Sequence, residues 1–122
     1  MTKMHLTMVT ALALSSVLYL GCRSRSHELH SKETVLKNDL YAMRDAINQY
    51  TEDKKKAPQD LDTLVRTGYL RNIPTDPFTG SNATWQAVQD DVFTLGDVPL
   101  GITDVHSGSS RISSEGTPYS SW

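Results

Sequence analysis

The sequence is poor in cysteine, and its second half is poor in basic residues. The single cysteine, Cys22, excludes any disulfide within the chain. Residues 57–122 carry three basic and eight acidic residues, which argues against an electrostatic footprint for nucleic acid. A length of 122 residues leaves room for one small hydrophobic core. We therefore expect one small domain with no nucleic-acid partner.

Catalytic motifs are also missing from the sequence. It contains no glycine-rich phosphate loop and no thiol–imidazole pair. His27 and His30 lack both a third ligand and the spacing of a metalloprotease. Asp104, His106 and Ser107 have the residue types of a triad, but adjacent residues of a strand face opposite sides, so Ser107 should face away from the other two. The sequence predicts a non-enzymatic protein without a cofactor.

Charge is nearly absent from the first 21 residues. Lys3 is followed by an uncharged apolar stretch from Leu6 to Leu20, about the size of a signal-peptide core. We predict that residues 1–21 are a signal peptide or a membrane anchor and do not belong to the folded domain.

The residues around the only cysteine resemble the lipobox of a bacterial lipoprotein, because the small residue Gly21 directly precedes Cys22. The resemblance implies cleavage before Cys22 and attachment of a lipid to its thiol. Tyr19 and Leu20 differ from the residues usual at those positions. Two alternatives stay open, an uncleaved N-terminal membrane helix and an ordinary secreted protein.

A polar stretch follows the cysteine. Residues 22–31 are predicted to form a solvated tether, and residues 32–122 the domain that it carries. Leu29 continues the seven-residue series of Leu36, Met43 and Tyr50, so the helix of that domain can begin inside the tether.

Residues 32–56 contain neither proline nor glycine and have helix periodicity. Glu33 precedes Lys37 by four residues, an orientation that favours an ion pair on an exposed helix face. The apolar residues recur every three or four positions and form one stripe: Leu36, Leu40, Met43, Ile47 and Tyr50. We predict a long amphipathic helix whose stripe is covered by the residues after position 57.

A second, short helix and a rigid turn are predicted next. Asp60 is suited to cap a helix with Leu61, Leu64 and Val65 on its apolar face, and Gly68 is suited to end it. Tyr69, Leu70 and Ile73 should then pack against the long helix. Two prolines, an aspartate and a glycine within residues 73–80 predict a rigid turn.

Short segments prone to form strands occupy residues 84–106. They are residues 84–89, 92–95 and 101–105, separated by turn-forming residues. With the helices before them, they predict an α+β fold.

Four separated motifs resemble the C-terminal domain of the major pseudopilin of type II secretion systems. They are DLYAMRDAINQY at 39–50, DLDTLVRTGYL at 60–70, IPTDPFTG at 73–80, and a C-terminal part with Asp104 to Gly108, Glu115-Gly116 and Trp122. The resemblance implies a long N-terminal helix packed on a small antiparallel sheet. At the N-terminus the chain differs from that family, since a lipoprotein-like signal stands where pseudopilins have their leader sequence.

The same resemblance raises the question of calcium, which pseudopilins bind in their C-terminal loop. Here the corresponding loop keeps Glu115 as its one carboxylate and contains Arg111. Asp104, Ser107 and Glu115 are the oxygen-bearing residues that remain as candidate ligands. The alternative is a serine-rich loop held on the sheet by Tyr119 and Trp122.

The hypothesis from sequence is a membrane-anchored protein of the bacterial cell envelope with a pseudopilin-like domain in the periplasm. It would be an accessory or structural component of a type II secretion or pilus-like system, with the membrane and other proteins of that system as partners. One alternative is a true pseudopilin that inserts Leu6 to Leu20 as a transmembrane helix and joins a filament. Another is a small extracytoplasmic module that binds a ligand or Ca²⁺.

Overall fold

The computed structural model describes residues 24–89 and 101–122 in full, and residues 2–23 as helical backbone. The chain contains the helices α1 (Thr2–Lys54) and α2 (Leu61–Arg66), the strands β1 (Gln86–Gln89) and β2 (Ile102–His106), and a terminal 3-10 helix (Tyr119–Ser121). It divides into two compact units, Met1–Ser31 and Lys32–Trp122. The predicted α+β class is confirmed.

Helix α1 is longer at its start and shorter at its end than predicted. It begins at Thr2, before both starts that the sequence predicts, Lys32 and a position inside the tether. Residues 24–31 of the predicted tether are helical with mostly exposed side chains. The absence of proline from this stretch allows the helix to continue. At the other end Lys55 adopts a left-handed backbone with φ of 57°, so the helix stops two residues before Lys56.

The predicted apolar stripe of α1 is buried. Leu36 and Met43 have no exposed surface, and Leu40, Ile47 and Tyr50 are at most 7% exposed. Trp85, Ile102 and Val105 of the sheet region belong to the same core cluster, as do Leu64 of α2 and Tyr119 near the C-terminus. Each large side chain buried in this way contributes about 1.5–3 kcal/mol relative to an exposed one. The helix is therefore packed on the sheet by its apolar stripe.

The short helix forms where its capping residues predict it. The Asp60 carboxylate accepts a hydrogen bond from the backbone N–H of Thr63 at 2.7 Å. At the other end Gly68 has φ of 83°, and the N–H of Tyr69 donates to the carbonyl of Leu64 at 2.9 Å, which closes the helix. The Tyr69 ring then meets Tyr50 of α1 edge-on at 5.4 Å, as the sequence predicted for this segment.

The turn at residues 73–80 is built around Asp76. Its carbonyl accepts from the N–H of Gly80 at 2.8 Å, and its carboxylate accepts from the N–H of Phe78 at 2.8 Å. The indole of Trp85 donates to the carbonyl of Pro74 at 2.8 Å, which ties this turn to the start of β1. The predicted rigid turn is confirmed.

The sheet has two antiparallel strands among the described residues. Gln86 pairs with His106 and Ala87 with Val105, and an irregularity between Val88 and Gln89 shifts the register by one residue. The strands match the predicted segments at 84–89 and 101–105. The third predicted segment, at 92–95, lies outside the described residues.

No helix in the part of the chain with described side chains is long and apolar enough to cross a membrane. The predicted signal peptide or membrane anchor at 1–21 and the predicted lipid attachment at Cys22 lie outside the residues whose side chains the structure describes.

Candidate functional site

The C-terminal segment, residues 107–122, lies against helix α1. Hydrogen bonds between polar and charged side chains join the two. Two of the carboxylates in this region are buried. Glu33 of α1 is 4% exposed, and Asp76 of the turn has no exposed surface. Both accept hydrogen bonds from the C-terminal segment.

Glu33 receives three hydrogen bonds from this segment. Its Oε1 accepts from the backbone N–H of Ser114 at 2.7 Å and from the Tyr119 hydroxyl at 2.8 Å, and its Oε2 accepts from the Ser114 hydroxyl. Hydrogen bonds to an ionised acceptor are roughly twice as strong as neutral ones. The carboxylate therefore holds two points of the C-terminal segment, Ser114 and Tyr119, to one position on α1.

Tyr119 is held on several sides. Its ring stacks on Phe78 with centroids 3.7 Å apart and meets Trp122 edge-on at 5.1 Å. Burial and the neighbouring Glu33 carboxylate raise the pKa of Tyr119 to about 12. The phenol therefore stays protonated at neutral pH and remains the donor to Glu33.

Asp76 holds the beginning of the C-terminal segment. Its Oδ2 accepts from the Ser107 hydroxyl at 2.6 Å and from the N–H of Gly108 at 3.3 Å. Asp39 of α1 faces the same region, and burial together with the charge of Asp76 raises the pKa of Asp39. The rigid turn thus fixes the end of β2 as well as its own backbone.

Arg44 of α1 donates hydrogen bonds to oxygen atoms of β2 and of the C-terminal residue. Its Nε donates to Asp104 at 2.7 Å, and its Nη2 donates to the carbonyl of Val105 at 2.9 Å and to that of Trp122. His106 lies beside Asp104, with its Nε2 3.5 Å from Oδ2. Burial opposes ionisation of Asp104, but hydrogen bonds from the Val105 N–H and from Arg44 outweigh it and lower the pKa of Asp104.

Two shallow cavities flank these contacts. One has a volume of about 320 Å³ and lies where Lys37, Leu40 and Arg44 of α1 face Glu115 and Trp122. Lys37 donates to Glu115 at 2.7 Å and also lies over the Trp122 ring, 4.6 Å from its centroid. Lys37 therefore contacts both Glu115 and Trp122 across the cavity.

The second cavity, of about 400 Å³, opens between α2 and the sheet. Its lining includes the apolar side chains of Leu61, Ile73 and Trp85 and the acidic residues Asp60 and Asp62. Asp60 already serves as the cap of α2.

The three candidate calcium ligands each contact a different partner. Asp104 pairs with Arg44, Ser107 donates to Asp76, and Glu115 pairs with Lys37. Among the described residues, no group of three or more histidine, cysteine, aspartate or glutamate side chains is placed to hold a metal ion. In this geometry the oxygen atoms of Asp104 and Glu115 face cationic side chains of α1, an arrangement that does not fit a bound cation.

The residue types of a catalytic triad do not converge either. Asp104 and His106 lie side by side on β2, as strand alternation predicted. The hydroxyl of Ser107 donates to the buried Asp76 instead of to the imidazole. His27 and His30, the other histidine pair considered from the sequence, are exposed on α1.

Glu33 is where the interpretation of the sequence was wrong. We had placed it on an exposed helix face as a partner of Lys37, but it is buried, and Lys37 pairs with Glu115. Its spacing contained the correct signal, because Glu33 lies three residues before Leu36 and seven before Leu40, on the face of the apolar stripe. Asp76 gave no comparable signal, since its turn motif predicts the bend but not the burial of the carboxylate.

Comparisons with protein-family models, with curated proteins and with solved structures find no match for this chain.

Proposed function

We propose that this chain is a non-enzymatic, membrane-anchored protein of the bacterial cell envelope. In this proposal residues 32–122 form a pseudopilin-like domain, and the protein is an accessory or structural component of a type II secretion or pilus-like system. Cys22 is the proposed site of lipid attachment.

One observation carries the proposal, the order and packing of the elements. A long helix buries one apolar stripe against a small antiparallel sheet, and a C-terminal segment returns to the same helix. A short capped helix and a rigid turn stand between helix and sheet in the order that the sequence motifs gave. The resemblance to pseudopilins implies the first of these features, a long helix packed on a small antiparallel sheet.

The polar groups of the site support a structural role. The contacts of Glu33, Asp76 and Arg44 join segments of the chain to one another. Ser107, the nucleophile type in the only triad-like motif of the sequence, uses its hydroxyl to hold the turn. A protein built in this way presents a rigid surface to other proteins.

The anchor is tested by intact-mass and N-terminal peptide analysis of the membrane-extracted full chain. We expect a mature chain that begins at an acylated Cys22, and we expect the Cys22→Ala variant to lose both the acylation and the cleavage. Ser31→Ala, which leaves the lipobox-like residues intact, is the matched control. An unacylated chain that retains Leu6 to Leu20 would contradict the lipid anchor and favour the alternative of a transmembrane pseudopilin.

The assembly role is tested by photo-crosslinking in intact cells from exposed side chains of the domain. Tyr41 and Ile112 are 74% and 64% exposed, which makes them suitable positions for a crosslinking residue. Gln89, an exposed polar position on β1, is the control. Crosslinks from Tyr41 or Ile112 to an envelope-assembly protein are expected. Crosslinks only between copies of this chain would favour the filament alternative, and none at either position would contradict an assembly role.

A further inference from the structure

We propose that the C-terminal segment is fastened to α1 by the carboxylate of Glu33, and that this contact does the work that the resemblance to pseudopilins would assign to Ca²⁺. The stability of the segment would then be independent of divalent cations. The inference does not depend on which partner the protein binds.

Two of the candidate calcium ligands already face cationic side chains of α1. Ca²⁺ needs about six to eight oxygen ligands, and carboxylates supply most of the charge. Asp104 Oδ1 lies 2.7 Å from Arg44 Nε, and Glu115 Oε1 lies 2.7 Å from Lys37 Nζ. A cation brought to these oxygens would meet a guanidinium or an ammonium group at hydrogen-bond distance. Side chains of α1 already supply a positive charge to each carboxylate, Arg44 to Asp104 and Lys37 to Glu115.

Ser107, the third candidate ligand, already makes two hydrogen bonds through its hydroxyl group. Its hydroxyl donates to Asp76 Oδ2 at 2.6 Å, and its oxygen accepts from the N–H of Ser109 at 3.1 Å. It is fully buried. One lone pair of its oxygen is left, but the side chain has no exposed surface at which to meet a cation.

The C-terminal segment presents hydrogen-bond donors, not acceptors, to Glu33 of α1. Residues 111–119 form a closed loop, because Ser113 donates to the carbonyl of Thr117 at 2.8 Å and Tyr119 to that of Arg111 at 3.0 Å. This loop presents one N–H and two O–H donors to Glu33, from Ser114 and Tyr119. A cation is coordinated by oxygen atoms, whereas a carboxylate accepts hydrogen bonds from N–H and O–H donors. The centre that holds this loop is therefore an anion.

Burial strengthens the contact between Glu33 and the C-terminal segment. Glu33 is 4% exposed, and hydrogen bonds to an ionised acceptor are stronger away from water than on the surface. Release of the segment would break three such hydrogen bonds at once.

The test uses the full-length chain solubilised in detergent, with melting temperature and trypsin cleavage as its two measurements. Arg111 is the one basic residue of the C-terminal segment, and its carbonyl accepts from the N–H of Tyr119, so cleavage after it reports opening of the loop. We expect Glu33→Gln to lower the melting temperature by roughly 10 °C and to speed cleavage after Arg111 about tenfold, because an amide replaces one acceptor oxygen by a donor. Glu52→Gln, on an exposed position of α1, is the matched control and should change neither.

Two milder variants keep the test valid if Glu33→Gln does not fold. Ser114→Ala and Tyr119→Phe each remove one hydroxyl donor to Glu33, and each should produce a smaller change in the same direction.

Excess EDTA, followed by added Ca²⁺, completes the test. We expect neither to change the melting temperature or the cleavage rate of the unmodified protein. A lower melting temperature in EDTA that Ca²⁺ restores would overturn the proposal, as would a Glu33→Gln variant or a set of milder variants that behaves like the control.

Discussion

At the scale of single residues, the end of helix α1 depends on Lys55. This residue has φ of 57°, a conformation that costs an L-residue with a side chain about 1 kcal/mol and costs glycine little. The sequence pattern does not indicate this end of the helix, because three consecutive lysines suit the last turn of a helix equally well. The position of the stop is set by the course of the chain after it, where Pro58 is buried.

We predict that Lys55→Gly stabilises the domain by roughly 0.5–1 kcal/mol, because glycine relieves this backbone strain. Chemical denaturation measures the change. Lys54→Gly, at the last residue of the helix, relieves no such strain and should not stabilise the domain. Equal destabilisation by both variants would show that Lys55 is not strained.

Tyr119 gives the domain a pH dependence at alkaline pH. Because its pKa is raised from an ordinary 10.0 to about 12, its contribution to stability is complete below pH 10 and is lost as pH rises toward 12. We predict that Tyr119→Phe costs about 1.5 kcal/mol at neutral pH, since it removes one of the hydrogen bonds to a charged group.

The measurement is the free energy of unfolding of both proteins between pH 8 and roughly pH 12. The difference between them should be constant up to about pH 10 and should shrink above it. A difference that stays constant throughout would show that ionisation of Tyr119 does not cause the loss of stability at alkaline pH.

At the scale of elements, α2 shows how a very short helix is specified. It has six residues, too few to be stable alone, and therefore depends on its ends and on Leu64, which has no exposed surface. Asp60 accepts from both the N–H and the hydroxyl of Thr63 at 2.7 Å, and the hydroxyl contact is the larger reason that the pKa of Asp60 is lowered. Its capping contribution is therefore present above its ordinary pKa and is lost as pH falls.

We predict that Asp60→Ala lowers the free energy of unfolding by about 1 kcal/mol at neutral pH, and by less in acid, where the carboxyl group is protonated. Asp62→Ala is the control, because Asp62 lies in the first turn without capping the helix. Urea denaturation at two pH values checks the result, and an equal loss in both variants would contradict the capping role.

At the scale of the whole molecule, one core joins α1, α2, the sheet region and the C-terminal segment. Met43 lies in the middle of the apolar stripe with no exposed surface. We predict that Met43→Ala costs about 2–5 kcal/mol, because it removes a buried side chain and leaves a cavity. Thermal unfolding measures the loss.

Tyr41→Ala serves as the control for Met43, because Tyr41 is 74% exposed on the same helix and should change stability little. A small loss for Met43→Ala would mean that the stripe does not hold the core together.

Most of the fold could be predicted because its signals are local. The stripe from Leu36 to Tyr50 repeats with the helix period, and Asp60 and Gly68 mark the two ends of α2 within a few residues of each other. The prediction that Asp104 and His106 share a face of β2 also needed only strand alternation. Such features depend on neighbours in the chain, so a sequence pattern is sufficient to find them.

The sequence by itself thus determined the α+β class, the buried face of the long helix, the capped short helix and the rigid turn. Only the tertiary structure decided that Glu33 is a buried acceptor for Tyr119, 86 residues away, and that Arg44 binds the carbonyl of Trp122, 78 residues away. A charged residue on a helix is compatible with water or with a buried partner. Which of the two it meets depends on where the remote segment packs, and that is fixed by the shared core.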